Sequence, residues 1–452
     1  MSVQQIFFLL IVLGVGTTAY KWFGKILFNI RLGKAYSGAP DQSLRWRNML
    51  LIALGQKKMF KRVLPAILHG FIYIAFLLTQ IELVEILIDG IFGYHRVFAP
   101  LLGSFYTFLI SFIELVSILA LIATIIFLWR RNVLKIKRFE KPEMSGWPKL
   151  DANLILVGEI LLITGIFCMN GADIVLQELS PDQYHDTGSF IFSSVIGPVF
   201  FGNLDISTLI LLERTGWWLH ILVVFGFLLY LPLSKHLHIL LAFPNTYLAR
   251  QKSPGAMQNM PDIMHEVQNM LGISTADSVS ETNAEIPEFG ANDVFDLTWK
   301  NLLDAYTCTE CGRCTAVCPA NLTGKKLSPR KIMMDVRDRC EEVGGNIRSA
   351  DPKWRDPAKG NDQALSPKNY HDGLSLFDRI SPEEIHACTS CNACVEACPV
   401  LINPLEIILE MRRYEILTLG TGPQDWVPMF TSLENSGSVW QVSSDRDAWI
   451  DQ

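Results

Sequence analysis

The sequence predicts an all-α protein in two parts, a bundle of five membrane-crossing helices followed by a soluble helical domain. Three observations predict it. A first apolar run is followed by four more that are each long enough to cross ~30 Å of hydrocarbon. Charge is unevenly shared, with 21 Lys+Arg against 15 Asp+Glu in residues 1–250 and 18 against 30 in residues 251–452. Eight of the ten cysteines fall into one phrase that occurs twice, flanked by helical patterning with little β-alternation. The 452 residues leave room for two or three domains, and half of them are hydrophobic.

The first run covers about 5–20. Its charges follow the apolar residues and no small-residue cleavage site appears, so it reads as a span and not as a secretory signal. The other spans are expected at about 64–89, 101–129, 151–176 and 216–242, within a membrane domain of residues 1–247. Residues 21–62 hold ten Lys/Arg and 130–149 hold seven, whereas 90–100 hold only Arg96 and 177–215 only Arg214. The positive-inside rule then places the N-terminus outside and everything after the fifth span in the cytoplasm. Residues 190–212 are apolar but interrupted by Gly197, Pro198, Gly202 and Asp205, and are expected to form short helices capping the outer face.

Residues 248–293 read as a linker, with a weak helical stretch near 261–271 and a Ser/Thr/Glu section at 274–288 expected to be mobile. A soluble domain over 294–418 follows. Helices are expected at 297–305, at 329–339, from the capped start Ser381-Pro-Glu-Glu-Ile, and at 405–417, with a polar loop over 340–380. The tail, 419–452, carries Trp426, Met429, Phe430, Trp440 and Trp449 among polar residues. Rings at that density mark a docking surface for a partner, or else fold back over the domain itself.

The doubled phrase reads Cys308-Thr-Glu-Cys311-Gly-Arg-Cys314-Thr-Ala-Val-Cys318-Pro319 and Cys388-Thr-Ser-Cys391-Asn-Ala-Cys394-Val-Glu-Ala-Cys398-Pro399. Three thiolates two residues apart curl round one face of a [4Fe–4S] cube, and the fourth, before proline, points away from that loop. In two-cluster ferredoxins it ligates the other cluster. The expected sets are therefore Cys308, Cys311, Cys314 and Cys398 for one cluster, and Cys388, Cys391, Cys394 and Cys318 for the second. Zinc sites pair two C-x2-C arms and need no doubled four-cysteine run ending in proline. No disulfide framework is left, and cluster-bearing thiols belong on the cytosolic side. Cys168 and Cys340 read as packing residues.

Ionisable residues inside spans are costly and usually functional. The second span holds His69 and the fifth holds His220, His236 and His238. Neutral imidazoles on facing helices are the usual axial ligands of a b-type haem. On a continuous helix His220 and His238 share a face roughly 27 Å apart, five whole turns at 3.6 residues each. His69 and His238 fall at the same, cytoplasmic end and can meet. The competing reading is that His236 and His238 only sit at the membrane interface. Glu82, Glu85, Glu114 and Glu159 are candidate quinone or proton groups.

The fifth span, Trp218-Leu-His220 through Pro232-Leu-Ser234-Lys-His-Leu-His238, resembles the last helix of the respiratory nitrate reductase gamma subunit, a five-span di-haem cytochrome b. That resemblance implies His69 and His238 as the ligands of one haem b. It also exposes a gap, because a further helix-two histidine of that family is Thr79 here. A second haem then lacks a ligand, leaving His220 and Glu82 to a quinone or another partner. Residues 295–415 resemble the two-cluster C subunit of heterodisulfide reductases, and the whole chain is similar to the membrane-bound heterodisulfide-reductase-like iron–sulfur oxidoreductases of bacteria. The resemblance implies an electron-transfer subunit of a heterodisulfide-reductase-like quinone oxidoreductase complex in the bacterial inner membrane. Its expected partners are quinone and a separate cytosolic subunit with paired-cysteine motifs, which this chain lacks, and a flavoprotein is a candidate donor. A membrane-anchored redox sensor and a structural anchor are the alternatives, and haem discriminates among them. No nucleophile–base constellation, phosphate loop, dinucleotide fingerprint or nucleic-acid-binding surface is legible.

Overall fold

A computed structural model of the chain describes residues 2–253, 256–257, 259–273, 289–356, 364–439 and 450. The expected mobile section 274–288 and the tail's Trp440 and Trp449 lie outside the described residues. Five helices are long and apolar enough to cross a membrane: Val3–Ile30, Val63–Phe92, Ser104–Asn132, Trp147–Leu179, and Ile206–Tyr230 with its continuation to Leu233. The soluble part is helical as well, and no β-strand occurs among the described residues beyond two isolated bridges. The fold class is the one the sequence predicts.

Local chemistry sets the ends of these helices. Ser2 and Gln5 form a capping box at the first span, and the Asp205 side chain caps the fifth by accepting from the Thr208 N–H. The fourth and fifth spans cross where both lack side chains. A Cβ on Gly216 would stand 2.6 Å from Met169 N and 2.7 Å from Gly165 O, so only glycine allows the backbones this close.

Two expectations about the fifth span need correction. It starts at Ile206, ten residues earlier than expected, so that of the expected outer caps only Ser193–Phe201 stands as a separate helix. The expected continuous helix over 216–242 is also broken. Pro232 has no N–H to give, and the chain passes through two short 3-10 turns, with Ser234 extended between them at φ −124° and ψ 151°. A new helix, His238–Tyr247, begins at the histidine itself. Asp151 of the fourth span stitches the break, accepting from Tyr230 Oη at 2.6 Å, Ser234 Oγ at 2.6 Å and Lys235 N at 3.1 Å. The five-turn relation between His220 and His238 therefore does not hold.

The soluble domain grows directly on the bundle. Its core joins Ile26, Ile30 and Leu32 from the end of the first span to Leu302, Tyr306, Ile332, Val336, Ile407 and Ile408. Lys34 N donates to Leu297 O at 2.8 Å, Trp299 N returns to Lys34 O at 2.9 Å, and Asn29 Nδ2 donates to Tyr306 Oη at 2.8 Å. The helix expected over 329–339 runs on to Ser349, which shortens the expected polar loop by about ten residues.

Candidate redox centres at one end of the bundle

The two cysteine motifs fold into the same turn twice. Glu310 and Gly312 take left-handed φ of +50° and +67°, and Ser390 and Asn392 take +55° and +62°. Two left-handed residues between cysteines bend the loop back on itself. A short helix follows each turn, Arg313–Val317 and Ala393–Ala397, and delivers the fourth cysteine before its proline.

One pocket is lined by Cys308, Cys311, Cys314 and, from the other motif, Cys394 and Cys398. Among the thiols that act on one another electrostatically, Cys398 goes with Cys311 and Cys308, and Cys318 with Cys388 and Cys394. Cys314 and Cys394 also meet, so the two groups adjoin. Among the described residues no three His, Cys, Asp or Glu side chains close round a single metal ion; the thiol sets surround a wider space. Burial pushes the Cys308, Cys394 and Cys398 thiols up to about 12. Coordination to iron is what makes such buried sulfurs thiolates at neutral pH. Backbone N–H groups of Ser390 and Ile402 already point at Cys388 and Cys398 sulfur, at 3.4 and 3.3 Å.

Loops from the basic end of the bundle clamp the first set. Arg313 Nη1 donates to Lys58 O at 3.2 Å. The fully buried Arg330 donates to Arg138 O at 2.8 Å and to Glu143 Oε1 at 2.6 Å. Glu310, inside the first turn, is paired with Lys235 at 2.5 Å and Arg337 at 2.9 Å. Burial alone would push its carboxyl up; the two cations outweigh that and hold it below the usual range.

Three of the four span-associated histidines gather at this same end. His69 feels both His238 and Arg313 electrostatically, and His236 feels His238 and His69. The His236 and His238 ring centroids lie 5.9 Å apart, and His69 stacks on Tyr73. His238 Nδ1 is held by Lys235 O at 2.9 Å, which leaves Nε2 free to bind a metal. His236 Nδ1 is buried without a partner. Beside His69, a Cβ on Gly70 would meet nothing within 4 Å. Two neutral imidazoles from separate elements, one with its Nε2 unbonded, are the donor set that a bis-histidine haem takes. His220 stands apart, 5% exposed, with Nδ1 3.1 Å from Leu162 O. Thr79, at the position lacking a histidine, bonds back to its own helix at Ala75 O.

The opposite end of the bundle holds a pocket lined by Glu82, Glu85, Asp89, His95, Arg96 and Glu213 among others. Arg96 is anchored by Asp173 at 3.0 Å and Asn170 at 2.6 Å, and Glu85 accepts from Tyr106 Oη at 2.7 Å. Both Glu82 oxygens are buried and accept no hydrogen bond. His220 is not part of this lining. Nothing in the local sequence marks Lys235, Glu310 or Asp173 as site residues. Arg96 is legible there only as the lone basic residue of its loop.

A family described as a 4Fe-4S dicluster domain matches residues 307–402. A probable iron–sulfur-binding oxidoreductase, FadF, of Bacillus subtilis is 30% identical over 88% of this chain and 54% of its own length. An EtfAB:quinone oxidoreductase of Syntrophomonas wolfei is 26% identical over 89% of this chain and 53% of its own. One component of a dihydromethanophenazine:CoB–CoM heterodisulfide reductase of Methanosarcina barkeri is 27% identical over 35% of this chain and 36% of its own. The chain thus spans about half the length of the first two relatives. No solved structure matches. Over the portion of these relatives that it spans, the chain is similar to heterodisulfide-reductase-like iron–sulfur oxidoreductases, and it joins five helices long and apolar enough to cross a membrane to a 4Fe-4S dicluster domain.

Proposed function

We propose that the chain carries electrons between a quinone pool and a cytosolic cysteine-rich redox partner, through one b-type haem and two [4Fe–4S] clusters. The observation that carries this reading is the gathering of His69, His236 and His238 at one end of the bundle, with His69 close enough to Arg313 of the first cysteine motif to feel its charge. Cys308, Cys311, Cys314 and Cys398 hold the nearer cluster; Cys388, Cys391, Cys394 and Cys318 hold the farther one. A haem bound by His69 and His238 supplies a one-electron carrier inside the membrane. The chain's own residues orient and tune these groups. Lys235 O fixes the His238 tautomer, main-chain N–H groups donate to the ligand sulfurs of Cys388 and Cys398, and Arg313 and Arg330 bring positive charge beside the nearer cluster.

The cluster end faces the cytosol of a bacterial inner membrane, on the Lys/Arg asymmetry of the loops and on the redox compartment that such thiols need. Quinone approaches the opposite end, where Glu82 offers two carboxyl oxygens without partners to a ring oxygen or a proton. One relative is named as a quinone oxidoreductase, which supports this substrate class. A soluble flavoprotein is the donor class to test first. The deciding measurement is the visible spectrum of the purified protein. A low-spin haem b band that is reduced on adding a quinol analogue, in protein carrying two clusters, is the expected result. A chain with clusters but no haem would overturn it and favour a membrane-anchored sensor.

A further inference from the structure

Lys235 stands between the membrane bundle and the first cysteine motif and touches both. Its carbonyl accepts from His238 Nδ1 at 2.9 Å. Its ammonium, on a side chain only 8% exposed, donates to Pro148 O at 2.7 Å and to Glu310 Oε2 at 2.5 Å. Asp151, 3.8 Å from the ammonium, also accepts from the Lys235 N–H and from the two hydroxyls beside the helix break. The residue is thus held rigidly on the membrane side. Glu310 is equally fixed on the other, in the turn between Cys308 and Cys311, with its second oxygen on Arg337.

The duplicated motif shows what Glu310 adds. The same position in the second copy is Ser390, with nearly the same φ, and its hydroxyl meets Arg412 of its own domain at 3.5 Å. The turn therefore forms without a carboxylate. A buried carboxylate that the loop does not need, paired with a buried lysine from the membrane end, gives the first turn a buried tie to the bundle, whereas the second motif's tie, Glu396 with Lys58 and Lys61, is exposed.

We infer that Lys235 is a positioning residue for electron transfer between the bundle and the first cluster. Its main chain orients His238, its ammonium holds the Cys308–Cys311 turn, and its charge offsets that of Glu310 beside the cluster. The step itself moves one electron: the cluster is oxidised by one as the group at His238 is reduced by one, or the reverse, and no bond or proton changes place. The transfer half of the inference rests on the haem reading above. The charge half does not.

The test uses the full chain in detergent and two substitutions that remove opposite charges. Lys235→Met should lower the midpoint potential of the first cluster, and Glu310→Gln should raise it, while the second cluster stays where it is in both. A general loosening of the interface cannot move one centre in opposite directions. Haem reduction through the clusters should slow several-fold in Lys235→Met with the haem band retained, and Lys235→Arg should restore most of the rate. If Lys235→Met fails to assemble its clusters, Glu310→Gln and Lys235→Arg carry the measurement. Shifts of the same sign, equal shifts in both clusters, or unchanged potentials overturn the inference. A native protein without haem overturns the haem reading and the transfer half, and leaves the paired potential shifts to decide the rest.

Discussion

Cys318 lies four residues after Cys314, yet the thiols it acts on are Cys388 and Cys394 of the other motif. Replacing it with serine should damage the cluster built on 388–394 and spare the one beside it in sequence. Electron paramagnetic resonance would read this directly, and loss of only the 308–314 signal would show the ligands to be uncrossed. The haem assignment is equally exposed to single substitutions. His69→Ala and His238→Ala should each abolish the haem band and His236→Ala should leave it, although the unpartnered Nδ1 of His236 makes it the natural rival. Loss in His236→Ala with His238→Ala unaffected would move the ligand by two residues. The cysteines were legible because their chemistry is written in local spacing. Lys235 and Glu310 were not, because a buried ion pair between residues 75 apart leaves no pattern in either neighbourhood.

At the scale of elements, apolar run length marked the spans, and what it missed follows from packing. A proline inside an apolar run weakens a helix without saying where the chain goes next. Here Asp151, on another span, receives three donors from the break and fixes the irregular backbone that a membrane would otherwise penalise. Asp151→Ala should leave those donors unsatisfied and cost about 1–3 kcal/mol each where they stay buried. The measurable outcome is a lower unfolding temperature together with a weakened haem band, since His238 follows the break by four residues. Unchanged stability would mean that water or lipid headgroups replace the carboxylate. The helix Pro329–Ser349 was underestimated for the opposite reason. Gly344-Gly345 argues against helix by propensity, yet Gly344 is where Asn29 of the first span packs against it, leaving no room for a side chain.

On the proposed reading, the carriers of the whole molecule run from the Glu82 pocket through the histidines to the first thiol set and then the second, where Cys391 is the exposed one of the ten cysteines. Electrons leaving the protein should therefore depart near the second motif, and the partner should dock there. The helix Trp426–Ser436 lies on that side. Trp426 packs edge-on against His386 at 5.0 Å, and His386 is paired with Glu415 at 2.6 Å, so the helix is anchored to its own domain. Past the anchor it leaves Val427 59% and Phe430 48% exposed. Apolar side chains presented on an anchored helix near an electron exit fit a protein partner better than bare solvent. Deleting 422–452 should then leave the haem and both clusters in the membrane, because none of the eight motif cysteines or the candidate haem histidines falls in that segment. Quinol-driven reduction of the clusters should persist, while a cysteine-rich partner should no longer co-purify. Recovery of that partner in full amount with the truncated chain would place the dock elsewhere, with the exposed face round Cys391 itself the next surface to alter.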